Sequence, residues 1–160
     1  MLPKITGVMA ATAEGIIGQG DHLPWSYPDE QEIFRARTRD AVVVMGRKTF
    51  EAIPQAFFAE RTPIVFSRSR LLSARTARDV SGFLDLLSTH YQDRPVFMIG
   101  GGELASLFFK EKVLTDFILT RIHKPYAGDV RLDLWYLENW SEKMLSQTPD
   151  YTILHLLPPR

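Results

Sequence analysis

No cysteine occurs among the 160 residues. Disulfides, thiolate nucleophiles, cysteine–zinc sites and iron–sulfur clusters are thereby excluded. Neither sign of charge is in excess: Lys plus Arg number 19, Asp plus Glu number 19, and the formal net charge is zero. A chain without a basic surplus is not built for bulk electrostatic binding to nucleic acid or an anionic membrane, although a local basic patch for one small anion stays open. Long apolar runs are missing too, and none approaches the ~20 residues that a membrane helix needs. Near the N-terminus, Lys4, a short apolar stretch and Ala11-Thr12-Ala13 mimic a secretory signal. That run is about six residues, broken by Gly7, against the roughly 7–15 of a true signal. It reads as a buried strand, and the chain as a cytoplasmic protein.

The four histidines (His22, His90, His123 and His155) show neither HxH nor HxxxH spacing, and no G-x-S-x-G elbow exists. No metal site is expected, and the histidines read as structural or surface groups. What the chain does have is a globular composition, 45% apolar and 11% aromatic, enough for one core.

Short apolar runs alternate with amphipathic stretches. Strands are expected at Lys4–Ala11, Ala41–Met45, Pro63–Phe66, Arg94–Ile99, Thr115–Thr120 and Tyr151–Leu157, with a weaker one near Lys143–Gln147. Helices are expected at Pro28–Thr38, Thr49–Ile53, Ser81–Ser88 with Ser81 as its cap, and Glu103–Phe109. Strands separated by helices imply a mostly parallel sheet, and the closing strands, with no helix between them, imply an antiparallel C-terminal edge. The expectation is one α/β domain over residues 1–160, with about eight strands and about four helices.

Two strand–glycine–helix junctions stand out: Met45-Gly46-Arg47-Lys48-Thr49 and Ile99-Gly100-Gly101-Gly102-Glu103-Leu104. Glycine lets backbone approach a ligand, and a helix start offers free N–H groups to an anion. Each junction alone is equally a tight turn or a solvated basic helix start. The second even satisfies a loose G-x-G-x-x-A pattern, but Thr120, not an acid, lies 20 residues after Gly100, so a Rossmann unit is discounted. Ser67-Arg68-Ser69 follows the third strand, where an arginine suits a 2′-phosphate. In the helix Pro28–Thr38, Glu30, Ile33, Phe34 and Arg37 recur at i, i+3, i+4 and i+7 and share one face. Glu30 is thus a carboxylate on an apolar face, with a raised pKa expected, while Asp29 and Glu32 look outward and serve the helix dipole. Whether all three acids merely cap the helix is open at this point. The preceding loop, Glu14–Tyr27, with Gly15, Gly18, Gly20 and Pro24-Trp25, has the composition of a lid.

In order and spacing, Ile17-Gly18, Leu23-Pro24-Trp25, Glu30, Phe34, Met45–Phe50, Arg61, Ser67–Ser69, Ile99–Gly102, Thr120 and Gly128-Asp129 resemble dihydrofolate reductase nearly end to end. The resemblance implies NADPH-dependent reduction of dihydrofolate by a protein that is usually a monomer. It implies that Glu30 is the pterin-pocket acid, bonding the ring's 2-amino group and N3 and promoting protonation at N5, with Thr120 supporting it and Trp25 beside it. Val8, Ala10, Leu23, Phe34, Ile53 and Ile99 would line the substrate pocket, and Arg61 would hold the α-carboxylate of the glutamate tail. Ala10, Ile17 and Gly18 would meet the nicotinamide end of the cofactor, with Ile99. Gly46, Arg47, Lys48, Thr49, Ser67, Arg68 and Ser69 would hold its phosphates and adenosine, with Gly100 to Gly102, Glu103 and Leu104 at the pyrophosphate. Asp129 would belong to a loop that bonds the closed lid. A pyrimidine reductase of riboflavin synthesis shares the fold but would lack the Pro-Trp loop and the helix acid. Trp25 and Glu30 speak against it, and with Arg61 against a silent NADPH-binding protein.

Overall fold

A computed structural model of the chain describes residues 3–18, 23–71 and 73–160. Alternation along the first strand, β1 (Ile5–Thr12), divides the molecule into two faces. Ile5, Met9 and Ala11 join one apolar cluster, while Ala10 joins another on the opposite side. Among the described residues nine further strands follow: β2 (Ile16–Gly18), β3 (Val42–Gly46), β4 (Thr62–Phe66), β5 (Arg75–Ala77), β6 (Val96–Met98), β7 (Asp116–Ile122), β8 (Val130–Arg131), β9 (Ser141–Gln147) and β10 (Tyr151–Leu157). The described residues also hold four α-helices, α1 (Pro28–Thr38), α2 (Arg47–Ala52), α3 (Val80–His90) and α4 (Gly102–Lys110), and short 3-10 stretches at Gln55–Glu60, before β4, and Leu134–Leu137, before β9.

Eight strands form one sheet in the order β5-β4-β3-β6-β1-β7-β10-β9. Every pairing from β5 to β7 is parallel, and β10 runs antiparallel to both β7 and β9, which makes the expected antiparallel C-terminal edge. β2 and β8 pair separately as a small antiparallel ribbon. The three-residue strands β2 and β5 escape sequence reading because so short a run shows no period.

The core lies mainly between the sheet and the pair α3 and α4. Phe83, Leu87, Leu104, Ala105 and Phe108 pack there on Ile5, Val42, Val44, Ile64, Met98 and Phe117. On the other face α1 lays Ile33 against Trp25, Ile122, Tyr151 and Ile153, while α2 packs Phe50 on Val43, Met45 and Val65. α1 spans the predicted residues, with Pro28 at its start, Asp29 and Glu30 in its first turn and Arg35 and Arg37 in its last. The expected serine cap of α3 is corrected: Asp79 caps it, accepting the Gly82 N–H at 2.7 Å. Asp79 stands outside the helix, where an Ncap side chain reaches the orphan N–H groups, whereas Ser81 is already in the first turn.

Candidate functional site

The strand register carries Thr120 of β7 to a position beside Ala10 of β1, facing α1. The Thr120 hydroxyl donates to Glu30 Oε1 at 3.0 Å, across 90 residues of sequence. Thr120 is buried and Glu30 is partly buried. Burial pushes the Glu30 carboxyl above its ordinary value, opposed by the Thr120 hydrogen bond and the Arg37 charge and reinforced by Asp29. A carboxyl held above its ordinary value, on an apolar face, is suited to share a proton with a bound ring. Asp29 does more than face solvent: it accepts the Tyr151 hydroxyl at 2.6 Å, which holds its carboxyl below the ordinary value. Burial, then this bond, pushes the Tyr151 hydroxyl up to about 12. Glu32 is outward as expected, paired with Arg35 at 2.8 Å.

Around the acid the apolar positions differ in closure. Val8 is buried, while Ala10, Phe34, Ile53 and Ile99 keep part of their surface open. Phe34 stacks on Phe57 of the 3-10 stretch, ring centroids 5.9 Å apart. Phe57 has no periodic signal in the sequence and was not among the expected site residues. Leu23 is 46% exposed. Arg61 is buried, its guanidinium 4.0 Å over the Phe57 ring. It donates to Thr38 Oγ1 at 3.0 Å, to the Phe57 carbonyl at 2.8 Å and to the Arg35 carbonyl at 2.6 Å. An arginine has five N–H donors, so part of its fork remains for an anion.

The phosphate-type junctions meet because parallel strands end on the same side. Gly46 pairs with Phe66, so Ser67-Arg68-Ser69 begins beside Gly46, and Gly46 N–H donates to the Gly100 carbonyl at 2.9 Å. Gly100 has φ +113°, a backbone that only glycine adopts without strain, and the Gly100–Gly101 peptide is cis. A Cβ on Gly101 would stand 3.5 Å from Thr49 Oγ1 and one on Gly46 would stand 4.0 Å from Gly101 N. Side chains there would fill the gap between the two loops. Neither α2 nor α4 has a side-chain cap, so their first N–H groups face this edge without an internal partner. Arg47 and Lys48 are exposed beside it, Arg47 held only loosely by Glu51 at 3.5 Å. Arg68, Ser69 and Glu103 are exposed and Ser67 and Thr49 half-buried. Leu104 sends its side chain into the core, so only its backbone faces the edge. An uncapped, glycine-walled, cationic edge of this kind fits the diphosphate of a dinucleotide.

The lid's base is tied down. Gly18 pairs with Val130 in the β2–β8 ribbon, placing the Gly128-Asp129 turn beside it. A Cβ on Gly128 would collide with the Gly18 carbonyl, and one on Gly102 with the Arg131 carbonyl, next to Ile17. Gly20 and His22 lie outside the described residues. Trp25 is buried and packs on Tyr126, centroids 5.5 Å apart, while the Tyr27 and Tyr126 hydroxyls are 2.8 Å apart. The hydrogen bond to Tyr126, then burial, pushes the Tyr27 hydroxyl to about 12. These tyrosines were not foreseen: partners separated by 99 residues leave no local signal. Among the described residues no cluster of His, Asp and Glu is arranged for a metal, and no helix is long and apolar enough to cross a membrane.

An open α/β sheet with its glycine junctions gathered at the carboxyl ends of adjacent strands defines an enzyme class that binds its ligands along that edge. A family model described as dihydrofolate reductase matches residues 4–152. The chain belongs to the dihydrofolate reductase family. It is 32% identical to the dihydrofolate reductase of Lactococcus lactis over 133 residues, covering 78% of this chain and 75% of that one. It is 35% identical to a type A13 dihydrofolate reductase of Escherichia coli over 127 residues (79% and 75%). It is 29% identical to the dihydrofolate reductase of Neisseria gonorrhoeae over 161 residues (96% and 98%). Membership makes this chain an enzyme that reduces dihydrofolate, with a nicotinamide as the family's hydride source.

Proposed function

We propose that the chain reduces 7,8-dihydrofolate to 5,6,7,8-tetrahydrofolate with NADPH, hydride going to C6 and a proton to N5, and that Glu30 is the acid of the pterin pocket. The observation that carries the reading is the Glu30–Thr120 pair: a carboxylate at 3.0 Å from a buried hydroxyl, on an apolar helix face, held above its ordinary pKa by burial. Reducing a C=N bond is easier when its nitrogen carries a proton, and NADPH supplies the hydride when bound. Glu30 accepts hydrogen bonds from the ring's 2-amino and N3 groups and raises the basicity that N5 needs. Thr120 fixes the carboxylate's orientation, and Trp25 closes the pocket from the lid side.

In this reading the Gly46–Thr49 and Gly100–Leu104 loops hold the diphosphate, Ser67–Ser69 the adenosine end, and Arg68 the 2′-phosphate. Ala10, Ile17, Gly18 and Ile99 meet the nicotinamide end. Val8, Leu23, Phe34 and Ile53 border the substrate, and the free part of the Arg61 fork takes the glutamate α-carboxylate. The deciding experiment follows NADPH loss with dihydrofolate at several pH values. Wild-type turnover is expected, with Glu30→Gln impaired most at high pH, where solvent protons are scarce. Full activity of that variant at every pH would remove Glu30 from the mechanism.

A further inference from the structure

A cavity of about 910 Å³ runs round the amino ends of β1 and β6, from Leu87 and Tyr91 at the end of α3, past Lys4 and Pro95, to Arg37 on the α1 face. It shares no lining residue with the substrate and cofactor positions assigned above. Its floor is set by register. Phe97 and Asp116 flank Thr6 in one row across the sheet, and Ile118 pairs with His155 in the next. The polar members of the floor satisfy one another. Thr6 Oγ1 donates to Asp116 Oδ1 at 2.7 Å, Thr115 Oγ1 lies 3.0 Å from the same oxygen, and His155 Nε2 lies 2.8 Å from Oδ2.

Arg37, in the last turn of α1, lines the cavity above this floor. It is half-buried and makes no hydrogen bond or ion pair with any described residue. Burial pulls its guanidinium below the ordinary value, opposed only by the charge of Glu30. A partly desolvated fork of five donors with no protein acceptor is costly unless something else supplies the acceptors. Other charges on the cavity are Lys4, Arg94, Asp93 and Asp116. Arg94 donates through Nη2 to the Asp40 carbonyl and Thr62, and Asp116 is hydrogen-bonded through both oxygens, but hydrogen bonds do not cancel a formal charge; Lys4, Arg37 and Arg94 outnumber Asp93 and Asp116, so the lining as a whole favours an anion at Arg37 and Lys4. Phe97 and Ile118 supply an apolar wall beside them.

The geometry points to a second ligand site, taking a small carboxylate carried on a flat apolar body, with Arg37 gripping the carboxylate and Phe97 and Ile118 receiving the apolar part. A bare inorganic anion leaves the wall unused, and a neutral arene leaves the Arg37 fork unpaired. The site also reaches the chemistry. Arg37 lies seven residues from Glu30 on the same helix face, about 10 Å along the axis. Its charge pulls the Glu30 carboxyl down, together with the Thr120 bond and against Asp29. A bound carboxylate offsets that charge, so Glu30 keeps its proton to higher pH. This coupling, unlike the binding itself, rests on the role of Glu30 proposed above, and by linkage it is reciprocal.

The test adds 2-naphthoate to the full chain and follows its NMR spectrum, with neutral 2-naphthalenemethanol as control. Saturable shifts are expected at Arg37, Phe97, Ile118 and His155, and they persist when folate and NADP+ are bound. Arg37→Gln is expected to weaken naphthoate at least tenfold, Arg37→Lys less, and Ile118→Ala, which leaves the cation in place, to weaken it as well. The neutral alcohol binds at least tenfold more weakly than the acid. Equal binding by Arg37→Gln, shifts at Val8 and Phe34 that folate abolishes, or no saturable shift at millimolar naphthoate overturns the site. Separately, naphthoate is expected to move the alkaline limb of turnover to higher pH. A limb that stays fixed while the cavity is filled overturns the coupling. The binding readout stands whether or not Glu30 proves to be the acid.

Discussion

Between the sheet and α3 and α4, Phe83, Met98, Phe108 and Phe117 are at 0% exposure, whereas on the α1 side Ala10 of β1, Phe34 of α1 and Ile99 just after β6 stay partly open. One strand serves both sides: Met9 and Ala11 of β1 enter the closed core, while Val8 and Ala10 face Glu30. The closed face holds ring against ring, Phe83 to Phe108 at 5.4 Å and Phe66 to Phe83 at 5.7 Å. The open face holds groups whose protonation the fold has altered, Glu30 upward and Asp29 downward. Close packing supplies stability where nothing must enter, and the other face gives up closure for a site that ligands can reach.

The largest expected effect lies on the open face. Glu30→Gln should lower turnover by about 10²- to 10⁴-fold, the range for losing a positioned acid–base group, with the deficit growing as pH rises. Steady-state rates across pH check it, and a uniform loss at all pH values would make Glu30 a binding group only. The same substitution should not destabilise the protein. A carboxyl whose folded pKa is raised favours folding only at low pH, and that contribution is lost as pH rises through the folded value. At neutral pH, then, Glu30→Gln should hold or raise the melting temperature, and a drop would blur the distinction between the two faces.

Phe108→Ala on the closed face should do the reverse. It should cost about 3–5 kcal/mol of stability by denaturant unfolding. The pH profile of the surviving activity should stay where it was, and a displaced profile would show that the faces are coupled through the sheet. Arg68→Ala, at the strand-end edge that both faces share, should weaken NADPH more than NADH in binding titrations. Equal weakening of both would deny it the 2′-phosphate.

The smallest effect is expected from Tyr151→Phe, which removes the hydroxyl that Asp29 accepts. Asp29 is held below its ordinary value, so its bond adds stability above pH ~4 and loses it as pH falls further. The variant should flatten the acid side of the curve of melting temperature against pH and change the neutral side little. An unchanged acid side would show that the bond contributes nothing in solution.

Much of the frame was legible because its signals are local. The i, i+3, i+4, i+7 pattern set Glu30 on the face with Ile33 and Phe34, and α1 runs over the predicted residues. The β-branched run before Gly46 announced a strand buried on both sides, and Val42 through Val44 are fully buried. Less legible was whatever two distant segments make together. Asp29 looked like a dipole residue because Tyr151 is 122 positions away. Phe57 and Phe58 fell in a stretch without period, yet Phe57 stacks on Phe34 and lies under Arg61. Arg61 was legible as a cation, but not its commitment to Thr38 and two carbonyls.

By itself the sequence determined which stretches become strands and helices, which helix face carries the acid, and which junctions offer glycine and cations. These depend on periods and turn chemistry within a few residues. Only the tertiary structure decided that β4, β3 and β6 lie side by side, so that Ser67, Gly46 and Gly100 meet at one edge. It alone set Thr120 against Glu30, and Arg37 over a row of Phe97, Thr6 and Asp116. Strand order and register follow from how whole faces bury against one another, a choice made between segments far apart in the chain.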